Sequence, residues 1–191
     1  MGRRAGVHVL ASKRELRALT SPARQELVDV LQQIGAASVS ELGHILARPA
    51  DALYYHLRVL ERAGLVVEST ERTPSGKKRA TFRLVAERLY LDYRAGRQAD
   101  PAAVPAIVNG MLRLGMRDFR TAAADPKTVV SGPRRELWAA RRMLWMSSED
   151  VAKVNRLIES FGGKSKRRPR GRLFALTIVL VPLRRSARQR G

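Results

Sequence analysis

One short segment of the chain carries side chains of the types that contact nucleic acids. Between Pro49 and about Ala63, leucines recur at Leu53, Leu57 and Leu60, which predicts a helix with one buried face. The opposite face then presents Asp51, Tyr54, Tyr55, Arg58 and Arg62. A carboxylate can accept from a cytosine amino group, a guanidinium can reach guanine or phosphate, and a phenol suits apolar or phosphate contacts. Packing of the tyrosines against a neighbouring element is the structural alternative.

A second group of cations lies in and beside a turn. Two segments of strand type, Leu65–Thr70 and Ala80–Val85, flank the run Pro74-Ser75-Gly76-Lys77-Lys78-Arg79. The expected backbone or minor-groove contacts of this hairpin are Arg72, Lys77, Lys78 and Arg79. Arg48, in the short break before Pro49, completes the expected DNA-binding set.

Two further helices must position these groups. Ser21-Pro22 opens a helix that ends at Gly35, and Ser38 with Glu41 forms a capping box at the start of the next. Helix, short turn, helix and basic hairpin are the order of a winged helix-turn-helix, in which the second helix of the pair enters the major groove.

The stretch from Leu19-Thr20-Ser21-Pro22-Ala23-Arg24 to Leu65-Val66 resembles the ArsR-like winged helix-turn-helix transcriptional regulators. The family's "L-s-p-x-R" helix start and its "HL-x-x-L-x-x-x-GLV" signature stand here at residues 19–24 and 56–66. The resemblance covers roughly residues 15–90 and implies a symmetric homodimer that regulates transcription.

The chain departs from that family at two points. Ala47 stands where a glycine often occupies the helix-turn-helix turn. The sequence has no cysteine, and His8, His44 and His56 lack ligand spacing, so metal sensing is not expected. No cofactor is expected either.

The second half is predicted to form a separate module. Residues 94–101 are interpreted as a linker and residues 102–123 as a helix. A β-α-β unit then follows, with a strand at Arg135–Trp145, a helix at Ser147–Ser160 and a strand at Leu173–Pro182. The fold class is therefore α+β, with a winged helix-turn-helix at 15–94 and a dimerisation or effector module at 101–184. Its effector is unidentified; Trp138 or Trp145 could line a pocket or pack in a core.

The net charge of +20 indicates a polyanionic partner, most simply double-stranded DNA. The arginine excess fits phosphate recognition or a GC-rich genome equally well. Most of the positive excess lies beyond residue 100, partly in the basic loop Lys164–Arg172 and in the tail after Arg184. These segments either add sequence-independent phosphate contacts or are solvated and flexible.

Two other binding roles remain open: a winged-helix protein-interaction module, and a sequence-independent architectural DNA-binding protein. An enzyme is not expected, because no catalytic triad, phosphate-binding glycine loop or carboxylate pair stands out. A signal peptide is not apparent, and the apolar run Leu173–Leu183 is about half the length of a membrane-spanning helix. We expect a cytoplasmic protein with no membrane partner.

Overall fold

The computed structural model of the chain describes residues 6–72, 76, 78–161 and 172–183. Four helices and a β-hairpin form the N-terminal half: α1 (Lys13–Ala18), α2 (Pro22–Ile34), α3 (Val39–Leu46), α4 (Ala50–Arg62), β2 (Val66–Arg72) and β3 (Lys78–Leu84). The remaining elements are β1 (Val7–Leu10), β4 (Arg88–Leu91), α5 (Tyr93–Ala99), α6 (Ala103–Ala124) and α7 (Ser148–Ser160). The mixed helix and sheet class with an N-terminal helix-turn-helix region is thus confirmed.

The helix starts follow their capping residues. Pro22 occupies the first turn of α2, where its missing N–H costs nothing. At α3 the predicted capping box is present: the Glu41 backbone N–H donates to Ser38 Oγ at 3.3 Å, and the Ser38 N–H donates to the Glu41 carboxylate at 2.8 Å. These caps fix where the two helices begin, and hence the turn between α3 and α4.

The wing is anchored to the helices through one aromatic side chain. Strands β2 and β3 pair antiparallel, with Glu68 opposite Phe82 and Val66 opposite Leu84. Phe82 is fully buried, and its backbone exchanges two hydrogen bonds with Ala37, in the loop before α3. The hairpin therefore leaves the domain in a direction set by the core rather than by its own turn.

The predicted linker at 94–101 is wrong, because α5 occupies Tyr93–Ala99. The Asp92 carboxylate caps this helix by accepting from the backbone N–H groups of Arg94 and Ala95 at 2.8 and 3.0 Å. Just before it, β4 pairs in parallel with β1, near the start of the chain. The segment after the wing is thus ordered by local capping and by pairing with the N-terminal strand.

Helix α6 docks on the helix-turn-helix through a buried amide. The Gln25 side chain donates to the carbonyls of Leu19 and Ile107 at 2.6 and 2.9 Å, which joins α2 to α6. Gly110 permits this approach, since a Cβ there would lie 2.7 Å from the Gln25 side-chain nitrogen. The core consequently continues from Leu10 to Ala103.

The predicted β-α-β unit is present only as its helix. Helix α7 begins at the Ser147–Asp150 capping box as expected, but residues 135–145 and 173–182 form no strand in the structure. A strand needs a hydrogen-bonded neighbour, and neither apolar segment is in a ladder within this chain. The strand at 173–182 was predicted from its β-branched and apolar composition, which does not supply a partner.

In the described ranges, no helix combines the length and apolar character needed to cross a membrane.

Candidate nucleic-acid interface

Helix α4 presents one face to the core and one to solvent. Leu53, Leu57 and Leu60 are each at most 1% exposed, and they pack toward α2, α3 and β2. On the other face Tyr54 is 43% and Tyr55 62% exposed. Asp51 and Arg62 are also exposed, whereas Arg58 is half-buried. The structure therefore brings together on one surface the five α4 residues that the helical spacing predicts.

The turn that aims α4 is tight. Ala47 adopts the left-handed conformation with φ of 50°, and the Arg48 N–H donates to the Gly43 carbonyl at 3.0 Å. A Cβ at Gly43 would lie 2.9 Å from the Arg48 carbonyl oxygen. A side chain at residue 43 would therefore collide with the turn, so Gly43 is required inside α3, whereas the alanine at residue 47 is tolerated in a conformation that favours glycine.

Arg48 is held by a carboxylate on another helix. Its Nη2 lies 2.8 Å from Glu26 Oε2 on α2, and the Glu26 side chain is only 13% exposed. The other Glu26 oxygen accepts from Arg117 of α6 at 2.6 Å. Glu26 thus links the helix-turn-helix turn to α6, a connection that the sequence alone does not reveal.

Arg58 joins the recognition helix to the wing. Its Nη1 donates to Glu61 at 2.6 Å and to Glu68 of β2 at 2.8 Å, while Nη2 donates to the Tyr54 hydroxyl. Its guanidinium carbon also stands 4.6 Å from the centre of the Tyr54 ring. The Tyr54 hydroxyl, then Glu61 and Glu68, raise the pKa of Arg58 above its ordinary value. Two carboxylates therefore compensate the charge of the guanidinium in the free protein.

The described wing cations lie on the hairpin, as the sequence predicts, and one of them, Arg79, is paired with a carboxylate of α3. Arg72 and Lys78 are exposed and face each other in register at the end of the ladder. Arg79 is engaged with Glu41 of α3 at 3.2 Å. The Ser38 backbone N–H, then the Ser38 hydroxyl and Arg79, hold the pKa of Glu41 below its ordinary range. Lys77 lies outside the described residues, as do residues 164–171 of the basic loop and the tail from 184.

Metal ligands do not gather in this part of the chain. Among the described residues, no group of three or more histidine, aspartate or glutamate side chains could hold a metal ion. His56, on the flank of α4, has a pKa lowered by burial and by the nearby Arg24 and Arg48. Both guanidinium groups and burial thus favour the neutral form of His56.

A family model described as a helix-turn-helix domain matches residues 19–69. The matched segment comprises α2, α3 and α4, reaches into β2 and is 51 of the 191 residues. The match does not distinguish an ArsR-like subtype.

Matches to solved structures cover about half of the chain. One is a transcriptional regulator homologue from Pyrococcus horikoshii OT3, with 22% identity over 50% of this chain and 88% of that one, and a TM-score of 0.33. Another is AbfR in a disulfide-formed state, with 16% identity over 58% of this chain and 77% of that one, also at a TM-score of 0.33. A comparison with curated proteins finds no match.

Proposed function

We propose that the protein is a sequence-specific DNA-binding transcriptional regulator in which α4 reads the major groove. The observation that carries the proposal is the exposed face of α4, which presents a carboxylate and two phenols opposite a fully buried leucine stripe. A helix fixed this firmly can hold its side chains in register with base edges. No catalytic role is part of the proposal, and a cytoplasmic location remains a prediction.

Individual roles follow from position on the helix. Asp51 lies in the first turn of α4, the end that enters the groove in helix-turn-helix proteins, so it is placed to accept from a cytosine amino group. Tyr55, the most exposed aromatic of α4, supplies an apolar contact with base or sugar. Arg58 contacts DNA only after leaving Glu68.

The wing contributes positive charge at the side of the groove. Arg72 and Lys78 are exposed and adjacent across the hairpin, which suits contacts to the phosphate backbone or the minor groove. Such contacts add affinity for any sequence rather than preference for one. Arg48 and Arg79 are ion-paired with Glu26 and Glu41 in the free protein. To contact DNA, each must replace its carboxylate partner with a phosphate.

We also infer a homodimer built by residues 101–184. On α6, the apolar side chains Leu112, Met116 and Phe119 share one face and are 49%, 53% and 37% exposed. Helix α7 buries no residue at all. The Thr177 side chain packs beside Gly115 on α6, but the apolar face of the helix stays largely exposed, and a second copy would cover it.

Large aromatic side chains are also exposed in this part of the chain. Trp138, Trp145, Phe161 and Phe174 are 68%, 87%, 61% and 59% exposed. At ~200 Å² for each aromatic side chain, these four alone expose roughly 500 Å². A standard interface buries about 800 Å² on each partner, and the leucines of 173–183 extend the surface toward that value.

Sequence-independent architectural binding is the second candidate, and the charge distribution favours it. Most of the net charge of +20 lies beyond residue 100 in the sequence, and not in the segment that forms α4. Binding dominated by that region would neutralise phosphates without reading bases.

Binding to native promoter fragments and to random duplexes, over a salt series, tests the proposal. Asp51→Ala/Tyr55→Ala removes the two α4 contacts, and Arg72→Ala/Lys78→Ala removes two wing cations. The regulator predicts that the α4 double variant loses preference for its promoter. The wing double variant keeps that preference but weakens all binding, with a shallower salt dependence. Equal binding to every sequence by the wild type indicates the architectural role, and no DNA binding indicates a protein-interaction module.

Sedimentation equilibrium tests the dimer separately. Leu112→Glu/Met116→Glu places two charges on the apolar face of α6 and is expected to give a monomer. Arg113→Glu/Arg120→Glu, two exposed positions on the same helix, serves as the matched control and should stay dimeric. A wild-type monomer at micromolar concentration would contradict the inferred dimer.

A further inference from the structure

A cavity of about 600 Å³ lies beside the recognition helix, away from the wing. Its walls are α1, the first turn of α2 and the C-terminal half of α4. Its apolar lining comes from Ala18 on α1 and from Val59 and Ala63 on α4. The volume lies within the range of about 300–1,000 Å³ typical of small-ligand sites.

The remaining lining residues are all cations: Lys13, Arg14, Arg17, Arg24 and Arg62. No carboxylate lines the cavity among the described residues. Lys13 and Arg17 stand one turn apart on α1, and Arg62 faces them from α4. Like charges gathered around one cavity repel each other unless an anion enters it.

Two of these cations are held in place by the protein. The Arg24 side chain donates to the carbonyls of Ala18 and Arg17, at the end of α1. Arg17 donates through Nε to Asp100 at 2.9 Å, which leaves its terminal nitrogens available. Donors that are fixed before binding lose little freedom when an anion arrives.

The other three have no carboxylate of their own in the described structure. No ion pair or hydrogen bond involves the side chains of Lys13, Arg14 or Arg62 among the described residues, and both α1 cations are exposed. This contrasts with Arg48, Arg58 and Arg79, each of which is paired. Cations without a carboxylate partner, placed around apolar side chains, form a site that attracts an anion.

We propose that this pocket binds a phosphate group. Guanidinium groups match phosphate oxygens in bidentate geometry, and the lysine adds a mobile point charge. Two sources of that group fit the position of the pocket. Arg62 belongs both to the pocket and to the exposed face of α4, so a backbone phosphate of bound DNA can reach it; this source rests on the proposed function. A free phosphorylated small molecule is the other source, and it does not depend on DNA binding.

Inorganic pyrophosphate is the probe for the pocket, titrated calorimetrically into the full-length protein at low salt. Lys13→Gln/Arg14→Gln removes two unpaired cations from α1, and Gln is a good helix former at these exposed positions. Arg113→Gln/Arg120→Gln on α6 changes the net charge equally outside the pocket. The pocket double variant is expected to bind pyrophosphate about tenfold more weakly than the wild type. The control should match the wild type.

The same three proteins are then titrated with a duplex over a salt series. If DNA supplies the phosphate, the slope of log affinity against log salt becomes shallower in the pocket variant alone, by about 0.9 for each phosphate that the variant no longer neutralises. If the source is a free phosphorylated molecule, pyrophosphate binding falls while the duplex slope matches the control. Equal pyrophosphate binding and equal duplex slopes in the two double variants overturn the proposal. That result would leave a promoter preference read by α4 untouched, so the two proposals fail separately.

Discussion

Glu68→Gln tests the link between the recognition helix and the wing. Glu68 accepts from Arg58 at 2.8 Å across the gap between α4 and β2, while Glu61 holds the same nitrogen from within α4 at 2.6 Å. Glutamine keeps the size of the side chain and loses its charge. Arg58 then keeps its ion pair with Glu61 in α4, whereas the wing offers it only a neutral amide oxygen.

The cost to stability follows from the exposure of the pair. The side chains of Arg58 and Glu68 are 30% and 28% exposed, so the pair is neither fully solvated nor buried. Exposed pairs contribute at most about 1 kcal/mol, and partial burial places this one at the upper end, about 1 kcal/mol. In a chain of this size, that loss lowers the melting temperature by about 2–4 °C.

The effect on DNA binding has the opposite sign. The substitution removes a negative charge near the DNA backbone and frees the Arg58 guanidinium to contact a phosphate. One additional phosphate contact steepens the salt dependence by about 0.9, which is about a 3.5-fold larger loss of affinity between 50 and 200 mM salt. At low salt, Glu68→Gln should therefore bind more tightly than the wild type while melting earlier.

Fluorescence anisotropy with a labelled duplex, beside thermal melting, measures both quantities. Glu71→Gln is the matched control: it removes the same charge from the same strand but leaves the partners of Arg58 in place. If both variants change the salt dependence equally, bulk charge rather than the release of Arg58 explains the effect. Weaker binding by Glu68→Gln than by the wild type would show that Arg58 makes no new phosphate contact when its ion pair with Glu68 is removed.

Three further substitutions test the structure from which the site is built. Phe82→Ala empties a fully buried position between wing and helices and should lower the free energy of unfolding by about 3–5 kcal/mol in urea titration; a loss under about 1 kcal/mol would contradict that packing. Ala47→Gly relieves a left-handed backbone at φ 50° and should raise the free energy of unfolding in urea titration by about 0.5–1 kcal/mol after the entropy of glycine is subtracted; a lower free energy of unfolding would contradict it. Because burial, then Arg24 and Arg48, lowers the pKa of His56, the stability it contributes is present above about pH 6.5 and is lost as pH falls through the folded pKa. His56→Gln should flatten that decline between pH 8 and 5, and an unchanged slope would exclude His56 as its source.

Local signals in the sequence predict the first half of the fold well. The caps at Ser21-Pro22 and Ser38–Glu41, with the leucine spacing of α4, place three helices where the structure has them. These signals suffice because each depends on residues within one or two turns of each other. The exposed face of α4 follows from the same spacing.

Contacts between residues far apart in the sequence could not be predicted. Nothing in the spacing shows that Arg48 meets Glu26 or that Arg58 meets Glu68, since both pairs depend on how the elements pack. The cationic cavity has the same origin, because α1 and α4 are far apart in sequence.

The prediction of two C-terminal strands is wrong for a related reason. Apolar, β-branched composition favours a strand at 173–182, but a ladder also requires a neighbour, and the described residues do not provide one. The proposed dimer is where such a neighbour would come from. The division into domains at 15–94 and 101–184 stays a prediction, although the core runs past the first boundary to Ala103.

Whether α4 reads base sequence is tested by selection from a library of randomised duplexes with the full-length protein, followed by sequencing of the bound fraction. We expect an enriched motif with two inverted half-sites about one helical turn apart, about 10–10.5 base pairs centre to centre. Asp51→Ala should relax one position in each half-site, whereas Arg72→Ala should weaken recovery without altering the motif. Recovery of the library without any enriched motif would contradict sequence reading by α4.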